Sequence, residues 1–104
     1  MLQVHRLAFD VVGRLAPVVA AVGARDSDLA RQMRRAASSV VLNTAEAQAS
    51  YDGNSRLRFR TALGSTRETR AAFELAVVWG FVKEDAELLD ALDRIAATLH
   101  KLAR

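Results

Sequence analysis

The chain has no cysteine, a single proline, and aromatic residues at only 6% of its 104 positions. Without cysteine, disulfides, thiolate metal sites and cysteine nucleophiles are all excluded, as suits a reducing cytoplasm. Long apolar runs are also missing. The longest, such as residues 16–24, fall short of the roughly 20 residues that span a bilayer. The N-terminus lacks the charged start, apolar run and cleavage site of a signal peptide. A soluble cytoplasmic protein with no membrane partner is expected. Bundle metal sites use Glu-x-x-His on facing helices, and no acid here is followed by histidine at that spacing. His5 and His100 stand near opposite termini and are expected to be exposed. There is no Gly-rich phosphate loop and no serine-nucleophile motif. No catalytic centre, metal or cofactor is expected.

Helix-forming residues dominate what is present, and a chain of this length makes one domain. Three turn signals divide it: Gly23 to Ser27, Asp52-Gly53-Asn54-Ser55, and Gly80-Phe81 before an acidic run. Between them apolar residues recur in steps of three and four. The first stripe is Leu7, Val11, Leu15, Val18 and Val22. The second is Leu29, Met33, Ala36, Val40, Asn43, Ala47 and Ser50. The third is Phe59, Leu63, Thr66, Arg70, Phe73 and Val77, with Ala62 and Ala76 beside it. The fourth is Leu88, Leu92, Ile95, Leu99 and Leu102. Such stripes predict an all-α, antiparallel up-down-up-down four-helix bundle with helices at about 2–22, 27–51, 55–79 and 84–103. Pro17 predicts a bend in the first helix rather than a break.

Charge is unevenly placed. Between positions 31 and 70 there are eight arginines against Glu46, Asp52 and Glu68, whereas positions 83–93 hold Lys83 against five acids. Arg31, Arg34, Arg56, Arg58, Arg60, Arg67 and Arg70 are candidate phosphate contacts, because the planar guanidinium suits phosphate. They equally suit a solvated face with intramolecular pairs. Arg56, Arg58 and Arg60 spread around their helix instead of forming one stripe. Arg35, Asn43, Glu46 and Glu68 are expected to form an interior polar network between the second and third helices. The mid-helix Gly64 predicts close approach of a neighbour, since glycine there costs about 1 kcal/mol against alanine. Tyr51 and Trp79 could stack on bases, but their places near helix ends favour partial burial.

Two runs carry a family resemblance. Gln32-Met33-Arg34-Arg35-Ala36 continuing through Ser39 to Asn43-Thr44-Ala45-Glu46 resembles the signature Q-L-R-R-A-x-x-S-I-x-x-N-I-A-E-G. Phe59-Arg60-Thr61-Ala62-Leu63-Gly64-Ser65-Thr66-Arg67-Glu68 resembles F-x-x-A-x-G-S-x-x-E, and Gly80-Phe81 matches the L-G-Y/F that follows. These are signatures of the four-helix bundle proteins of 23S ribosomal RNA intervening sequences. That family includes the accessory variability protein of diversity-generating retroelements. The chain departs from it at Ala47 for a closing Gly, at Thr44 for Ile, and in its first helix. The resemblance implies a homo-oligomer, typically a pentamer, with a basic surface able to bind RNA or DNA. In the retroelement branch it also implies a reverse transcriptase partner. Two functions follow as expectations: a non-catalytic nucleic-acid-binding accessory protein, or a structural homo-oligomer without nucleic-acid contact. In the second, the acidic last helix of one subunit would meet the basic helices of the next.

Overall fold

In a computed structural model describing residues 2–49 and 54–104, four helices follow one another: α1 (Gln3–Gly23), α2 (Ser27–Ala49), α3 (Asn54–Val78) and α4 (Ala86–Leu102). Ser50, Tyr51 and the Asp52-Gly53 turn lie outside the described residues. Each helix packs against the ones before and after it, and α4 returns to α1, closing an antiparallel four-helix bundle of 43 × 23 × 19 Å.

The helix ends follow from local chemistry. Asp26 accepts the Leu29 N–H at 3.0 Å and caps α2. Asp85 does the same for α4, taking the Leu88 N–H at 3.1 Å. Glu87 in the first turn of α4, with His100 and Lys101 in its last, suits the helix dipole. Helix α3 closes on Gly80, whose φ of 77° is open to glycine at little cost. The Gly80 N–H donates to Val77 O and the Phe81 N–H to Ala76 O, each at 2.9 Å, which satisfies carbonyls the helix end would orphan. Helix α1 runs through Pro17 without a break.

The core is built from the expected stripes with local shifts. Val11, Leu15, Val22, Leu29, Met33, Val40, Phe59, Leu63, Phe73, Leu88, Leu92, Ile95 and Leu99 are buried. Leu7, Val18 and Val77 are half-buried, and Leu102 is exposed. Two seam positions move by one residue. Thr44 is buried where Asn43 was expected, and Thr69 where Arg70 was expected; Asn43 and Arg70 are half-buried. The buried threonines answer their own hydroxyls. Thr44 donates to Val41 O at 2.9 Å, Thr66 to Ala62 O at 2.8 Å and Thr69 to Ser65 O at 2.8 Å. Folding back onto the preceding turn lets a β-branched side chain enter the core without an unsatisfied donor.

His5 is also buried, contrary to expectation. Its Nδ1 lies 2.6 Å from Thr44 Oγ1 and its ring meets Phe9 edge-on, with centroids 5.0 Å apart. His100 is exposed. Among the described residues no group of three His, Cys, Asp or Glu is placed to hold a metal ion. Nor is any described helix long and apolar enough to cross a membrane.

Candidate anion-binding groove between α2 and α3

The outward side of α2 carries Arg31, Arg34, Arg35, Ser38 and Leu42, all exposed, in steps of three and four. Helix α3 runs antiparallel beside it and contributes Arg58, Ser65 and Glu68. The open groove between them measures about 730 Å³ and is lined by four arginines against two glutamates, Glu46 and Glu68.

A ladder of polar side chains joins the two helices along the groove floor. Ser65 donates its hydroxyl to Ser39 Oγ at 2.7 Å. Asn43 donates to Ser39 Oγ at 3.0 Å and to the Ser39 carbonyl at 2.9 Å. Arg58 crosses from α3 to Glu46 at 2.9 Å and reaches Asn43 Oδ1 at 3.5 Å. The contact between the helices is thus polar on its solvent side and apolar within. Its ion pair is close to half exposed, so water and salt screen it.

The interior network expected from the sequence is only partly assembled here. Asn43 and Glu46 are joined through Arg58. Arg35 and Glu68 are exposed groove walls and form no hydrogen bond or ion pair with a described residue. Arg35, placed inside by the sequence reading, therefore belongs with the surface cations. The long guanidinium reaches solvent more cheaply than it can be matched in an alanine-rich core.

The seven arginines expected to meet phosphate divide into three sets. Arg31 and Arg34 line the groove, Arg31 with a loose 3.9 Å approach to Asp28. Arg56, Arg60 and Arg67 stand exposed on the outer face of α3, in one row about 17 Å long at 1.5 Å per residue. Arg58 and Arg70 are occupied by carboxylates. Arg70 binds Asp93 of α4 at 2.8 Å and Glu74 at 2.6 Å. The hydrogen bonds it donates to those two carboxylates, to Asp93 foremost, raise its pKa further. Arg58 turns toward α2 while Arg56 and Arg60 turn outward, which is the spread their alternation predicted.

Gly64 lies in the outer row, between Arg60 and Arg67. A Cβ there would meet nothing within 4 Å, so no neighbour among the described residues accounts for it. The close contact falls to the adjacent Ser65, which faces Ser39. That serine pair was missed in the sequence, although Ser39 stands one turn before Asn43 and Ser65 sits in mid-helix, where a small hydroxyl permits approach. Trp79, expected to be partly buried, is 63% exposed.

Chemically the groove offers hydroxyls, exposed guanidinium groups and two carboxylates at an open surface. That set can hold an anion by charge-assisted hydrogen bonds.

The fold has a solved counterpart. A crystal structure of a protein of unknown function from the S23 ribosomal protein family of Bacteroides thetaiotaomicron superposes with a TM-score of 0.87. That superposition covers 97% of this chain and 98% of that one, at 15% sequence identity. No curated protein matches the chain in sequence. The sequence model of one family, described as 23S rRNA-intervening sequence protein, matches residues 1–101; with nearly every residue inside that match, the chain belongs to that family.

Proposed function

We propose that the chain is a non-catalytic, homo-oligomeric accessory protein that binds nucleic acid through its phosphates. The observation that carries this reading is the pair of adjacent cationic arrays. Arg34 and Arg35 line the groove, and Arg56, Arg60 and Arg67 run along the next face, none with a carboxylate partner among the described residues. Arginines held outward without counter-charge are the footprint that phosphate backbones require. The open geometry of the groove suits a long polyanion better than a small substrate.

Fluorescence anisotropy with labelled duplex DNA and structured RNA tests it over a salt series. Each phosphate neutralised on duplex DNA contributes about −0.9 to the slope of log K against log salt. A slope of several units is expected. Binding indifferent to salt, or no binding at low salt, rejects the reading.

The alternative, an assembly that uses its arginines between subunits, loses much of its acidic partner. Asp85 and Glu87 of the α4 start pair with Arg14 at 3.2 and 3.3 Å, and Asp93 pairs with Arg70, all within one chain.

A further inference from the structure

Trp79 is the only tryptophan of the chain, and it is 63% exposed. An indole is usually covered in a folded domain. Here Phe73 and Ala76 already fill the inward side of the same turns. The Trp79 N–H still donates to Leu75 O at 2.9 Å, so the last turn of α3 fixes where the ring is carried. Among the described residues the indole has no hydrogen-bond, aromatic or cationic partner.

Its place relates to the cationic groove. Ser65 faces Ser39, and Arg58 faces Glu46, across the two helices. Carried along, that antiparallel register sets Arg35 level with Thr69 and Arg31 level with Phe73. Trp79 therefore stands about 9 Å beyond Arg31, at 1.5 Å per residue. It also follows Glu68, a groove-wall residue, by roughly three turns, which returns it to the same side of α3. The indole thus stands at the end of the groove, past Arg35 and Arg31. Acids toward this end are engaged: Glu74 binds Arg70 at 2.6 Å, and Asp28 accepts from Gln32 at 3.3 Å. Leu75 and Val78, 44% and 81% exposed, add apolar surface beside the ring.

Cations leading to an open aromatic face are the two parts that a single strand uses. Guanidinium groups track its phosphates, and a free base stacks on the ring. A duplex can use only the first part, because its grooves offer base edges and its base faces cover one another.

We propose that an unpaired base of a single-stranded nucleic acid stacks on Trp79 while Arg31, Arg34 and Arg35 hold the adjoining phosphates. This rests on the phosphate-binding reading above and names the kind of strand it favours. Because no other tryptophan is present, indole fluorescence reports the contact. Oligouridylate, which is unstructured, is titrated into the full chain at low salt, with long duplex DNA in parallel. Anisotropy of a labelled strand, taken alongside, measures binding. Oligouridylate should quench the indole emission in step with binding, whereas duplex should bind with the emission nearly unchanged. Trp79→Ala should weaken oligouridylate binding by about 5- to 150-fold, the effect of one stacked base. The ratio of single-strand to duplex affinity should fall with it, and Trp79→Phe should restore part of that ratio. The position is exposed, so both variants should keep the native circular dichroism. If neither nucleic acid binds at low salt, the phosphate reading and this contact fall together. If oligouridylate binds without quenching, if duplex quenches equally, or if Trp79→Ala binds oligouridylate as well as the native chain, the stacking alone is overturned.

Discussion

The Thr44 hydroxyl on α2 lies 2.6 Å from Nδ1 of His5 on α1, in the buried seam between the two helices. The same hydroxyl lies 2.9 Å from Val41 O, and the direction of the His5 bond follows the imidazole tautomer. Thr44→Val keeps the shape and removes the hydroxyl. A buried ring nitrogen left without its partner costs about 1–3 kcal/mol, to be read from urea unfolding. Thr66→Val is the control, because among the described residues that hydroxyl bonds only Ala62 O of its own helix. Equal losses for the two would mean that the His5 contact adds nothing beyond packing.

Asp85 should govern how the bundle answers acid. The Leu88 N–H holds its carboxyl below the ordinary aspartate value of 3.8, burial opposes this, and Arg14 adds to it. A folded-state pKa that is depressed gives stability that is complete above the unfolded value and lost as pH falls through the folded one. Thermal unfolding should therefore show an acid limb below 3.8 that flattens in Asp85→Ala. At neutral pH that variant should lose about 1 kcal/mol with its cap. Asp85→Asn, which can still cap, should lose less. An unchanged acid limb in Asp85→Ala would assign the acid sensitivity to other carboxylates.

How much of this was legible in the sequence depended on which force decides each residue. Leu88, Leu92, Ile95 and Leu99 repeat without a competing polar choice, and all are buried. Where two adjacent positions straddle a seam, periodicity cannot choose between them. At Asn43 and Thr44, and again at Thr69 and Arg70, the threonine goes inward because its hydroxyl can bond the previous turn and its methyl packs. Arg58 and Arg70 could not be separated from Arg56 and Arg60 by spacing alone. Their partners Glu46 and Asp93 lie on other helices, and only the packed arrangement brings them within reach. His5 was misjudged because nearness to a terminus says nothing of Thr44, on another helix.

Gly64 should be replaceable. A Cβ there meets open space in the subunit, and a mid-helix glycine costs about 1 kcal/mol against alanine. Gly64→Ala should raise the unfolding midpoint by roughly 4–8 °C for a domain of this size. A fall in the midpoint would show that a surface outside the subunit presses on this turn.

The arginines should separate by role. Arg34→Ala or Arg35→Ala should each weaken duplex binding and lower the salt slope by about 0.9, with stability changed little. Arg70→Ala should leave binding alone and instead loosen the link to Asp93. If Arg70→Ala weakens binding as much as Arg35→Ala, the division between outward and paired arginines is wrong.

Helix α4 is moored at its rim by ions on both sides: Asp85 and Glu87 to Arg14 of α1, Asp93 to Arg70 of α3. These links stand in water, so the same electrolyte that strips a polyanion from the arginines also slackens the last rod of the scaffold. Any titration with sodium chloride thus acts on two equilibria at once. Far-ultraviolet ellipticity, followed in the same cuvette, tells release of cargo from loosening of its carrier.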